Sequence, residues 1–233
     1  MYIVNCKSTS SFGIRTSYIK LLAIYYVRVY DGVRMKARSV TMLLFMLILL
    51  GLIGWSAVEP YDEQVWWTEM SMVFVLMAVF GSLYRWLKLS VFSYFFIFLW
   101  CWMQVVGAHY TFELVPFDAV SEFFDFERNH YDRIAHFVVG LNAVGIAEML
   151  WRYKGAPSAW TAAAYSIAII MAVANFWELV EWKYAEIDGG SAGLAFLGSQ
   201  GDVWDAQKDM LMDTLGSIVG AVMFLVYARK VGS

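Results

Sequence analysis

At 233 residues the chain has the length of one domain, yet 61% of it is hydrophobic and only 16% is charged, against roughly 45–50% and 25% in soluble domains. That composition argues against a soluble globule, and 18% aromatic residues with 3 prolines argue against disordered or collagen-like chains. Cys6 and Cys101 lie far apart without a CxxC spacing, so neither a disulfide framework nor a thiolate metal site is supported, and the net charge of −3 conceals a segregation of charge along the chain.

In chain order, the first element is a polar, basic segment of 34 residues with an amphipathic stretch from Tyr18 to Tyr30. It reads either as a helix lying on the inner leaflet or as the product of an upstream start, because Met35-Lys36-Ala37-Arg38 before an apolar run is a common beginning for a bacterial membrane protein. Six apolar stretches follow, each near the roughly 20 residues that cross a bilayer: Val40–Val58, Trp67–Leu87, Val91–Ala108, Ile134–Trp151, Trp160–Glu181 and Met210–Tyr227. The expectation is therefore an all-α polytopic membrane protein, with a basic cytoplasmic segment over 1–38 and a six-helix transmembrane domain over 39–233. The first run is about 19 residues, longer than the 7–15 of a signal-peptide core, and reads as a retained span.

Orientation follows from the basic residues, which are retained in the cytoplasm. Of the 17 Lys and Arg residues, 13 precede the first span or follow the second, fourth and sixth, whereas 18 of the 20 acids fall on the other side with Arg128, Arg133, Lys183 and Lys208. Both termini are expected in the cytoplasm. Trp66, Trp67, Trp151, Trp160 and Trp204 lie near span ends, where aromatic rings anchor at the interface.

The segment Gly201-Asp202-Val203-Trp204-Asp205-Ala206-Gln207-Lys208-Asp209 with Asp213 is the most informative. At 100° per residue, Asp202, Asp205, Asp209 and Asp213 share one stripe of a continuous helix. Gly216 and Gly220 prolong the stripe and turn it toward a neighbouring helix. Asp202 and Asp205 suit a solvated helix start, where negative charge is favoured. Asp209 and Asp213 lie deeper, where a carboxylate costs roughly 2.5–3.5 kcal/mol at the membrane centre and less toward the interface, and intramembrane acids carry function by default.

Other spans bring partners to the same end. Asp132 and His136 stand at i and i+4 with Gly140 below, Glu178 falls between Asn175 and Glu181, and His109 ends the third span after Gln104. His136 alone would read as a core histidine, and Asp132 beside it points to a ligand or acid/base role. Glu181 reads as a rim residue paired with Lys183 or Arg133, while His109, Gln104, Cys101 and the methionines read as packing. The candidate metal ligands are Asp205, Asp209, Asp213 and His136; Asp132, His136 and Glu178 are the candidate catalytic groups. Oxygen donors with an imidazole suit a divalent Zn, Mn, Fe or Mg ion better than a soft metal.

These segments resemble the YjdF family of bacterial inner-membrane proteins: Gln104 to Thr111 with Val115-Pro116, Tyr131 to Phe137 with Gly140, Asn175 to Glu181, and Gly201 to Asp209 with Gly216. The resemblance begins near Met42 and runs to the end, leaving the basic segment outside it, and implies a multi-pass inner-membrane protein without supplying an activity. A more distant similarity is to VanZ-like membrane proteins, on Asp132-Arg133 with His136-Phe137, Glu178, Gly201-Asp202, Asp205, Asp209 and Gly216. It implies a common core of three helices. That pattern commonly has Asn where this chain has Asp213.

Three functional readings remain open: metal-dependent hydrolysis or transfer on a lipid or lipid-linked envelope substrate, a proton- or cation-coupled transporter, and a non-catalytic envelope factor. All take the lipid bilayer as partner and none involves nucleic acid. No inverted repeat is visible in support of the transporter.

Overall fold

A computed structural model describes residues 38–188, 190, 193 and 196–232, and the described residues are helical with no strand among them. The chain separates into two units, 1–44 and 45–233. Residues 38–44 of the first are helical and open α1, Arg38–Ser56, whose remainder belongs to the second. The amphipathic stretch expected over Tyr18–Tyr30 lies outside the described residues.

The second unit continues with α2 Glu63–Leu83, α3 Val91–Tyr110, a short α4 Asp118–Phe124, α5 Tyr131–Leu141, α6 Ala143–Arg152 and α7 Ala159–Asp188. It ends in α8, Asp205–Gly232. Among the described residues, six helical spans are long and apolar enough to cross a membrane, α5 and α6 counting together as Tyr131–Arg152. All six expected spans are present. The second starts four residues earlier than its apolar run because Asp62 caps it, accepting the Gln64 and Val65 N–H groups at 2.9 Å. Once those orphan donors are satisfied, the polar residues Gln64 and Thr68 fit within the first turns.

Asn142 divides the fourth span. Its backbone N–H bonds to Val139 three residues back, and its side-chain amide reaches the Val138 and Val139 carbonyls at 3.1 Å, so the carbonyls released by the break keep a donor. At the end of α3, Thr111 takes a left-handed conformation, φ 61°, and the chain folds back to lay the Phe112 ring over Gly107. A Cβ at Gly107 would sit 2.5 Å from that ring, so any larger residue would have to displace Phe112.

The most extensive helix pair is α5 with α8. Its closeness is written in three glycines. A Cβ on Gly140 would fall 2.7 Å from Gly216 Cα, one on Gly216 would strike the Phe137 carbonyl, and one on Gly220 would fall 2.8 Å from the Leu141 carbonyl oxygen. Backbone cannot yield as a flexible side chain can, so the expected small-residue stripe does face protein. Further along, Ala147, Ala162, Ala163, Ala221 and Ala228 close around the fully buried Phe224. Leu211, Leu215, Ile218 and Val222 of α8 are exposed on its other flank, as a lipid-facing surface requires.

Candidate functional site

α8 begins at Asp205, so the stripe is helical for Asp205, Asp209 and Asp213 only. Asp202 sits on the preceding turn, where its carboxylate accepts the Trp204 N–H at 3.1 Å and its carbonyl accepts the Asp205 N–H. Gly201, at φ 81°, lets the chain turn there.

The stripe then divides by partner. Arg128, from the loop before α5, donates to Asp205 at 2.6 Å and lies 3.5 Å from Asp202; Arg133, from the first turn of α5, reaches Asp202 at 2.6 Å and Asp205 at 3.0 Å. Lys208 adds a third cation 2.6 Å from Asp202. The Lys208 ammonium, the Trp204 N–H and Arg133 hold the Asp202 carboxyl well below the usual carboxylate range. Three cations thus answer two acids at the rim, with Arg133 Nε also 3.8 Å from Asp209 Oδ1.

Deeper in, the balance reverses. His136 places Nδ1 2.8 Å from Asp213 Oδ2 and Nε2 3.7 Å from Asp132 Oδ1. The first is a hydrogen bond and the second is too long for one. One donor atom each from Asp132, His136 and Asp209 lies within 4.8 Å of the others. Glu178 is buried one helix away on α7. Four buried oxygens here accept no hydrogen bond: Oδ2 of Asp205, Oδ1 of Asp209, Oδ1 of Asp213 and Oε1 of Glu178. Unsatisfied buried acceptors normally cost about 1–3 kcal/mol each, more when charged, so their concentration in one place calls for a ligand or protons.

A cavity of about 60 Å³ opens against this cluster, its polar lining made by Asp132, His136 and Asp213 together with Glu69, Gln104 and Glu181. Trp100, Phe112 and Trp177 complete its walls. Glu69 is the residue that the sequence reading passed over. It sits on α2, almost wholly buried, and takes a 2.7 Å hydrogen bond from Gln104 of α3. A lone carboxylate two residues inside the expected span Trp67–Leu87 was the available signal.

Other expectations are redistributed. Glu181 lines the cavity, and the cations expected beside it are engaged elsewhere, Arg133 as above and Lys183 with Glu186 at 2.5 Å. His109 stands apart from the cluster, its Nδ1 3.1 Å from the Ser56 carbonyl and its ring 4.4 Å from that of Trp55. It packs, as expected. Cys101 is buried and free.

A second buried carboxylate lies toward the far end of the same span. Glu148, with no exposed surface, receives the Ser90 N–H at 3.0 Å and the Ser90 and Ser93 hydroxyls at 2.8 and 2.6 Å. Arg152 completes the set at 2.5 Å. Both Glu148 oxygens are satisfied.

Comparison with known proteins agrees with this architecture. The model of the family described as "Predicted membrane protein (DUF2238)" matches residues 41–230. Inner membrane protein YjdF of Escherichia coli (strain K12) is 31% identical over 173 residues, covering 73% of this chain and 82% of that protein. No solved structure matches. With six apolar helices and these two likenesses, the chain belongs to the DUF2238 family and is a multi-pass inner-membrane protein.

Proposed function

We propose that Asp132, His136 and Asp209 form a divalent-cation centre at the periplasmic side of the bundle, and that it serves hydrolysis or transfer on a lipid or lipid-linked envelope substrate. The observation that carries this reading is the convergence of three donor atoms within 4.8 Å beside buried carboxylate oxygens that accept no hydrogen bond. Two bonds of about 2.0–2.2 Å reach across at most about 4.4 Å, so the three donors, within 4.8 Å of one another, would need only a small side-chain adjustment to close on a shared cation. It would also supply the positive charge that a water-poor group of three aspartates and a glutamate needs.

In this reading Asp213 is a positioning residue. It accepts the proton of His136 Nδ1 at 2.8 Å and so leaves Nε2, with its lone pair, turned toward Asp132. Asp205 anchors α8 to Arg128 and Arg133. The cation would polarise a phosphoryl or acyl oxygen, and Glu178, buried alongside, is placed to take or give a proton. The periplasmic placement rests on loop charge: the segments at the opposite end carry the basic excess, which puts both termini and the segment 1–38 in the cytoplasm. A transmembrane carrier would need a polar route beyond the cluster, and the other buried acid of that span, Glu148, is closed by four donor residues' worth of protein contacts at Ser90, Ser93, Arg152 and Tyr227.

The reading is tested in proteoliposomes made from bacterial inner-membrane lipid extract, with lipid species followed by mass spectrometry. Metal-loaded protein should consume one lipid class, and chelation or His136→Gln should abolish the change. An unchanged lipid profile with metal-loaded protein would overturn the enzymatic reading.

A further inference from the structure

The cavity beside the proposed cation centre has a chemistry of its own. Glu69 of α2 and Glu181 of α7 contribute carboxylates, Gln104 holds Glu69 by a 2.7 Å hydrogen bond, and the rings of Trp100 and Trp177 border the same space. Among the described residues, no lysine or arginine lines it. The nearby cations, Arg128, Arg133 and Lys208, are drawn to Asp202 and Asp205 at the rim. Asp213, only 1% exposed, also borders the cavity and keeps Oδ1 without a partner. No third donor joins Glu69 and Glu181 within metal-ligand reach among the described residues, whereas Asp132, His136 and Asp209 do converge in that way. The cavity therefore suits a cation larger than a bare metal ion. Carboxylate acceptors beside indole rings are the surroundings that an alkylammonium group prefers: the oxygens take its N–H bonds and the rings attract its charge.

We infer that this cavity receives a primary ammonium group, held by Glu69 and Glu181 between Trp100 and Trp177, so that the substrate of the centre is an amine-bearing headgroup. At about 60 Å³ the space holds a few water-sized groups, enough for an aminoethyl head. The inference rests on the proposed cation centre only for what happens to the bound headgroup; recognition of the amine stands on the residues named here. An amine of this chemistry reaches the site either on a membrane lipid or free in solution.

Two probes separate these sources. Protein in detergent is titrated with phosphatidylethanolamine or phosphatidylglycerol and bound lipid is read by native mass spectrometry, while free ethanolamine is titrated calorimetrically. Phosphatidylethanolamine should bind at least tenfold more tightly than phosphatidylglycerol, and Glu69→Gln and Glu181→Gln should each remove that preference. Binding of ethanolamine without any lipid preference would support the amine site and assign it a soluble ligand. No lipid preference together with no ethanolamine binding would overturn the inference, as would unchanged affinity in both glutamate variants. Metal content is measured on the same samples. Glu69→Gln and Glu181→Gln should keep the ion, so amine discrimination in metal-free protein would sink the cation centre alone, and a loaded centre without amine discrimination would sink this inference alone.

Discussion

Glu148 and the Asp132–His136–Asp209–Asp213 group both bury carboxylates in the span Tyr131–Arg152 and the helices packed on it, with Glu148 roughly 18–24 Å along the axis from His136 and Asp132 at about 1.5 Å per residue. Glu148 has every oxygen bonded to protein. At the other end Asp209, Asp213 and Glu178 each keep an oxygen without a hydrogen bond. A buried acid whose acceptors are filled by its own fold stabilises that fold, whereas a group left underfilled is open to protons or a ligand. In the proposed reading, buried carboxylates thus serve structure at one end and a ligand at the other.

That contrast can be broken most forcefully at Glu148. Glu148→Ala strands the Ser93 hydroxyl and the Ser90 N–H and removes the carboxylate beside Arg152, and should cost about 2–4 kcal/mol in denaturant unfolding in detergent, at about 1–3 kcal/mol for each buried donor left unpaired. It should leave bound metal untouched. Next comes Gly216→Ala, whose Cβ would meet the Phe137 backbone of the facing helix; overpacking of this kind costs about 1–3 kcal/mol. Thermal unfolding should show the loss, and Gly51→Ala, with open space around its Cβ, should show none of that steric cost.

Asp213→Asn sharpens the comparison from the opposite direction. Asparagine keeps the shape and a hydrogen-bonding partner for His136 while removing one of the crowded charges, so stability should move by less than about 1 kcal/mol. Metal affinity should fall by roughly 10–100-fold, as expected when the group orienting a ligand histidine is lost. A large stability loss with unchanged metal affinity would assign the cluster the same structural task as Glu148.

The smallest effect is at the rim. Because Lys208, the Trp204 N–H and Arg133 hold Asp202 below the ordinary carboxylate range, its contribution is present above the unfolded carboxyl value near 3.9 and is lost as the pH falls toward the lower folded value. A pH series of unfolding midpoints should therefore decline in that acid window, and Asp202→Asn should flatten that part of the decline.

The spans were legible because a bilayer demands long apolar runs and leaves little else to read. So was the glycine stripe that brings α5 onto α8, since spacing alone puts Gly216 and Gly220 on the aspartate face. The division of that face was hidden. Arg128 reaches Asp205 across 77 residues of sequence from a loop with no period of its own, and no local pattern announces such a pairing. Asn142, polar within an apolar run, gave no sign that it would break a helix and mend the break with its own side chain. Glu69 needed the third dimension, because only packing shows that an acid near a span end turns inward to Gln104 and the cavity.

The most direct test of the central claim is the metal content of protein purified without chelator, measured by inductively coupled plasma mass spectrometry for wild type and Asp209→Asn with matched unfolding curves. The account predicts about one divalent ion per chain in the wild type and none in a folded Asp209→Asn variant. Folded wild-type protein that holds no ion, and takes none up when Zn, Mn, Fe or Mg is supplied, would contradict it.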